Sequence, residues 1–147
     1  MKASDDCLAL IRMSEGFSEK PYLCPAGVPT IGYGSTRYTD GRKIVLTDPH
    51  ITIAQADEIM RVTLAEYEAA VNRYVKVPLT QGQFDALVDF AYNAGPQSLR
   101  NSTLLRMLNA SNYAGAAKQF SRWVYADGKI LNGLVKRRKL ETELFLK

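Results

Sequence analysis

Histidine occurs once in this 147-residue chain, at His50, and cysteine twice, at Cys7 and Cys24. One imidazole and two thiols with no metal-ligand spacing make neither a zinc site nor a Ser-His catalytic arrangement. Two cysteines are also too few for a disulfide-built scaffold. No metal and no other cofactor is expected. Long apolar runs are lacking too: none approaches the roughly 20 residues of a membrane-spanning helix, so no membrane insertion is expected. The N-terminal Met-Lys-Ala-Ser-Asp-Asp lacks the apolar stretch of an export signal. There is no low-complexity run, no internal repeat, and no linker rich in Pro, Gly or Ser. What is left is a chain with 46% hydrophobic residues, enough for a sizeable core. It reads as one domain over residues 1–147, with room for two lobes. Strong charge is missing as well. Nineteen basic residues against 15 acidic give only +4. The basic residues near the end, Lys129, Lys136, Arg137, Arg138 and Lys139, read first as a solvated helix face. A nucleic-acid surface would want a stronger basic field with stacking aromatics, so no nucleic-acid partner is expected. The modest surplus can still steer the protein toward an anionic surface.

The stretch from Glu15 to Gly34, EGFSEKPYLCPAGVPTIGYG, carries the chemistry. Residues 4–15 read as a helix: Ser4, Asp5 and Asp6 give an N-cap and acidic first turn, Leu8 and Ile11 an apolar stripe, and Gly16 a stop. Glu15 then stands at the helix end. Pro21-Tyr22-Leu23 and Thr30-Ile31-Gly32-Tyr33 flank the turn-formers Pro25, Gly27 and Pro29, which is hairpin character. A hairpin folded about Gly27 pairs position 24 with position 30 and puts Cys24 and Thr30 on one face. An acid, a thiol and a hydroxyl brought together suit hydrolysis of a glycosidic bond. A protonated carboxylic acid serves the leaving oxygen while a second group activates water from the opposite side. Phe17 and Tyr33 are the candidates for an apolar wall beside Glu15. Thr30 can orient a water; Cys24 can serve as base, nucleophile or polar wall. A disulfide between Cys7 and Cys24 would block this site, so free thiols are expected. Taken singly, each residue has an ordinary reading: a solvated Glu at a helix end, a small apolar Cys, a strand Thr. The spacing is what distinguishes them. Asp40, in a Thr-Asp-Gly sequence, reads as a turn former.

The rest of the chain reads helical. Thr52 with Gln55 makes a capping box before a stripe at Met60, Leu64, Tyr67, Val71 and Tyr74, a long helix joining a small hairpin-bearing lobe to a helical one. Thr80 with Gln83 caps another helix through Phe84, Leu87, Val88 and Tyr92, ending at Gly95-Pro96. Shorter helices follow from Asn101 or Ser102, from Ser111 or Asn112 to Trp123, and from Leu134 to the end.

These segments together resemble the phage-type lysozymes, the endolysins of glycoside hydrolase family 24, whose active-site signature reads Glu-x8-Asp/Cys-x5-Thr. YLCPAGVPTIGYG is close to the family's wording, and FAYNAG (90–95), NSTLLRMLN (101–109), FSRW (120–123) and GLVKRR (133–138) resemble family segments in the expected order. The resemblance covers nearly the whole chain. It implies an α+β, mostly helical lysozyme-like fold with a glycan cleft between a small β-hairpin lobe and a helical lobe. It implies Glu15 as general acid, Cys24 in place of the usual aspartate, and Thr30 as the residue positioning water. Tyr92 and Asn93 would face the sugar, Gly32 and Arg137 would help bind it, and one of Arg137 or Arg138 would turn inward. The implied reaction is cleavage, with inversion, between N-acetylmuramic acid and N-acetylglucosamine in peptidoglycan. The implied setting is a monomer made in the host cytoplasm and given access to the cell wall by a separate pore-forming phage partner, a holin. Two departures stand out: Cys24 itself, a recurring variant, and Ser35, where the family commonly has His. The rival reading from another class is a catalytically silent wall-binding module in which Cys24 marks a decayed site.

Overall fold

A computed structural model describes residues 1–147. Its contacts divide the chain into two units, Ile11–Ala65 and Met1–Leu10 with Glu66–Lys147. Helix α1 (Asp5–Glu15) and the long helix α2 (Ile53–Tyr74) run through the boundaries, so α2 is the connecting helix expected from the sequence. No helix is long and apolar enough to cross a membrane.

In the unit Ile11–Ala65, α1 ends at Glu15 and the chain turns at Gly16 into strands β1 (Ser18–Leu23) and β2 (Pro29–Gly32), paired antiparallel. The register differs from the sequence expectation: Thr30 lies opposite Tyr22, and Pro29 opposite Leu23. The reason is the turn. Gly27 N–H donates to the Cys24 carbonyl at 2.8 Å, and Cys24 N–H to the Val28 carbonyl at 3.1 Å, so the loop is Pro25-Ala26-Gly27. Proline suits the second position of such a turn, and Gly27, at φ +77°, supplies the left-handed residue that closes it. The apex is thus Ala26, not Gly27, and Cys24 faces Val28 rather than Thr30. Cys24 and Thr30 nonetheless share a face, because Thr30 lies two residues beyond Val28 and side chains repeat every second residue. A bulge between Ser18 and Tyr22 shifts the far end so that Ser18 pairs with Gly32. Gly32 has φ +66°, and a Cβ there would lie 3.1 Å from that of Ala56 on α2, so the strand end fits the helix only without a side chain. Asp40 accepts the Arg42 N–H at 2.9 Å, as a turn former should. Thr52 and Gln55 exchange both hydrogen bonds of the capping box at the start of α2. Ile11, Ile31, Ile44, Met60 and Leu64 are buried and form this unit's core.

The other unit is helical: α3 (Gln81–Ala94), α4 (Pro96–Arg100), α5 (Thr103–Asn109), α6 (Tyr113–Gln119) with a 3-10 turn at Phe120–Arg122, and α7 (Asn132–Phe145). Thr80 and Gln83 cap α3 reciprocally, Ser102 caps α5, and Asn112 caps α6. Phe84, Leu87, Phe90, Leu99, Leu104 and Leu108 are fully buried. Phe90 meets Phe120 and Trp123 edge-on, at 5.8 and 5.2 Å between ring centres, a preferred aromatic geometry. Two pieces were not expected from the sequence. One is the short α4. The other is a hairpin of β3 (Tyr125–Ala126) and β4 (Lys129–Ile130) turning on Asp127-Gly128, both at positive φ.

Candidate active site

The acid, the thiol and the hydroxyl all fall within the unit Ile11–Ala65. Glu15 is the last residue of α1 and half-buried. Helix capping therefore delivers it: the glycine after it ends the helix at that carboxylate. Cys24 opens the tight turn and is half-buried, with its thiol free. Its pKa is held below that of an ordinary thiol, first by the Val28 backbone N–H and then by the Ala26 N–H and the Thr30 hydroxyl, against a smaller opposing effect of desolvation. The turn that sets the register thus also builds a ring of donors around the sulfur. Thr30 is buried, and its hydroxyl donates to the Val28 carbonyl at 2.8 Å. One hydroxyl proton serves either that carbonyl or the sulfur, so Thr30 answers the charge on Cys24.

Tyr22 ties the carboxylate to this pair. Burial, then the negative charge of Glu15, then that of Cys24, push the Tyr22 phenol above its ordinary pKa, so both groups lie within electrostatic reach of it. Sequence reasoning missed Tyr22; the available signal was its place two residues before Cys24 in a strand. Phe17 and Tyr33 pack together at 5.7 Å between ring centres. Ser35 is buried with its hydroxyl unpartnered.

The remaining predicted residues belong to the helical unit. Tyr92 and Asn93 stand in the last turn of α3, both half-buried, and the Tyr92 ring meets Tyr67 edge-on at 5.2 Å. Arg137 and Arg138 both turn inward on α7, where one was expected. Arg137 donates to both oxygens of buried Asp89, at 3.0 and 2.8 Å. Arg138 donates to the Asn93 side-chain oxygen at 2.5 Å, pairs with buried Glu141 at 2.8 Å, and lies over the Phe90 ring. Burial, then contact with Asp89, push Glu141 well above the usual carboxylate range. Asn93 and Arg138 also line a cavity of about 590 Å³ with Trp123, Tyr125 and Leu134. Lys129, Lys136 and Lys139 stay exposed, as a solvated face requires. Cys7 is buried beside Asp85 and Asp89, and burial pushes its thiol pKa up, which leaves it inert.

The model of the family described as Phage lysozyme matches residues 12–141. The endolysin of Bacillus phage B103 is 42% identical over 150 residues, covering 99% of this chain; the chain spans about half, 54%, of that relative. The endolysin of Acyrthosiphon pisum secondary endosymbiont phage 1 is 40% identical, with 99% of this chain and 98% of the relative covered. Among solved structures, an endolysin from Escherichia coli O157:H7 phage FAHEc1 superposes with a TM-score of 0.90 at 37% identity, covering 100% of this chain and 94% of that one.

Proposed function

We propose, for a chain that belongs to the phage lysozyme family, the following working of its site. The protein hydrolyses peptidoglycan as a phage lysozyme, cutting the β-1,4 bond between N-acetylmuramic acid and N-acetylglucosamine. Glu15 gives its proton to the leaving glycosidic oxygen. A water held by the Thr30 hydroxyl attacks the anomeric carbon from the other side and loses a proton to the Cys24 thiolate. The configuration inverts, and Cys24 passes the proton to solvent while Glu15 is reprotonated. One observation carries this reading: Cys24 opens the hairpin turn and Thr30 follows on the same face of the sheet, in the unit where Glu15 ends α1.

Tyr92 and Asn93 contact the sugars, the ring by stacking and the amide by hydrogen bonding, with Arg138 fixing the amide. Arg137, buried and bound to both oxygens of Asp89, and Gly32, packed against Ala56, serve the fold rather than the sugar. The enzyme works as a monomer on the cell wall. It is made in the host cytoplasm and depends on a separate pore-forming phage protein, a holin, for access. The wall-binding alternative is not favoured by the relatives, which are endolysins along nearly the whole of this chain.

Release of soluble muropeptides from purified cell walls tests the reading. Turnover supports it; binding without solubilisation overturns it. Alkylation adds the second arm. Blocking Cys24 is expected to slow the wild type but not Cys24→Asp, and equal slowing of both would remove the thiol from the proton path.

A further inference from the structure

Eight tyrosines occur in the chain, and those in packed surroundings are tied to neighbours. Tyr33 meets Phe17, Tyr67 meets Tyr92, and Tyr38 and Tyr113 donate to Asp48 and to the Pro78 carbonyl. Tyr22 differs. It is 36% exposed and stands beside the turn that carries Cys24. Its place is fixed by backbone geometry alone. It lies directly across the hairpin from Thr30, so the two side chains leave the sheet on one face about 5 Å apart at their Cβ atoms. Cys24, two residues on, keeps to the same face through the ladder bond from its N–H to Val28. The ring is therefore flanked by the thiol and the hydroxyl on its own hairpin, within reach of the carboxylate at the end of α1.

We propose that Tyr22 is a substrate-contacting residue of this reaction: its ring forms the platform for the pyranose at the bond being cut, and its hydroxyl donates a hydrogen bond to that sugar. The inference rests on the assignment of Glu15, Cys24 and Thr30 above and adds the surface on which the sugar lies between them. A phenol suits the place because an aromatic ring offers apolar area with one polar tip and few torsions to freeze. Burial first, and then the neighbouring Glu15 and Cys24, hold the phenol above its ordinary pKa, so it stays a donor. A leucine would keep the apolar bulk of the strand position without the ring; a phenylalanine would keep the ring without the donor.

The test measures kcat and KM separately on purified peptidoglycan for wild type, Tyr22→Phe and Tyr22→Leu, beside melting temperature and the pH profile of Cys24 alkylation. Tyr22→Phe should raise KM about fivefold with kcat nearly unchanged, the size of one hydrogen bond to substrate. Tyr22→Leu should lower kcat/KM about a hundredfold, as loss of an aromatic contact at the reacting sugar would. Both should leave the melting temperature and the alkylation profile in place. Wild-type kinetics in both variants would overturn the proposal. So would a loss of activity that comes with a shifted alkylation profile, since Tyr22 would then act through Cys24. Should Tyr22→Leu not fold, an unchanged KM in Tyr22→Phe overturns the hydroxyl contact by itself. An inactive wild type would sink the hydrolase reading instead, and an active wild type with inert Tyr22 variants sinks this inference alone.

Discussion

The hairpin turn and the α3–α7 packing both gather polar side chains, and they use them in opposite ways. At the turn, Cys24 and Thr30 flank a loop of three residues, and backbone N–H groups of that turn face the sulfur. The thiol stays free and partly exposed, so its chemistry is available to a ligand. Between α3 and α7, Asp89, Arg137, Arg138 and Glu141 are buried and answer one another. Burial, and then the neighbouring Asp89, push the Glu141 carboxyl well above the usual carboxylate range. The first arrangement spends little stability to keep groups reactive. The second takes groups that would be costly alone and makes them a structural clasp, with Asn93 as its outlet. Polarity in a sequence does not by itself say which of the two a segment builds.

Replacing one group in each region should pull activity and stability apart. Glu15→Gln is expected to lower turnover by about a thousandfold, the scale of a lost general acid, while the melting temperature stays near that of wild type. Retained turnover would take Glu15 out of the mechanism. Asp89→Ala should do the reverse. It leaves Arg137 buried without its carboxylate, at a cost of about 3–5 kcal/mol in denaturant unfolding, and a loss below about 1 kcal/mol would mean the clasp is not holding the helices.

Glu141 sharpens the contrast through pH. Its folded pKa lies above the unfolded value, so the native state binds this proton more tightly. Its contribution is fully present below the ordinary carboxylate pKa and is lost as pH rises toward the folded value. Glu141→Gln mimics the protonated acid and should therefore flatten the fall of melting temperature over that window. Identical pH dependence in variant and wild type would show that the Glu141 pKa does not change on folding. The smallest effects are expected from two turn glycines in the catalytic unit. Gly27→Ala meets nothing within 4 Å and should cost about 1 kcal/mol for its positive φ alone. Gly32→Ala carries the same backbone cost and also crowds Ala56, so it should cost more; equal losses would mean the strand end has room to spare.

Much of this architecture is legible in the sequence because its signals are local. Thr52 with Gln55, and Thr80 with Gln83, lie three residues apart and form their caps as expected. The Glu15–Cys24–Thr30 spacing led to the right hairpin by a wrong register. Glycine marks turns, so Gly27 reads as the apex, whereas in the structure Pro25 opens the turn and Gly27 closes it. The β3–β4 hairpin is hard to read from the sequence although Asp127-Gly128 is an ordinary signal for it, because the neighbouring strands are only two residues long. The clasp was not legible at all. Asp89 and Arg137 are 48 residues apart, and a basic run such as Lys136-Arg137-Arg138-Lys139 does not show which members turn inward.

The central claim is that water, held at Thr30 and Cys24, reaches the anomeric carbon from the side opposite Glu15. Proton NMR of the first products released from peptidoglycan reads the configuration at the new reducing end before mutarotation mixes it. Initial α-anomer is the predicted result. Initial β-anomer would contradict the account, because retention needs two displacements at the anomeric carbon and a single attack by water from the far side inverts it.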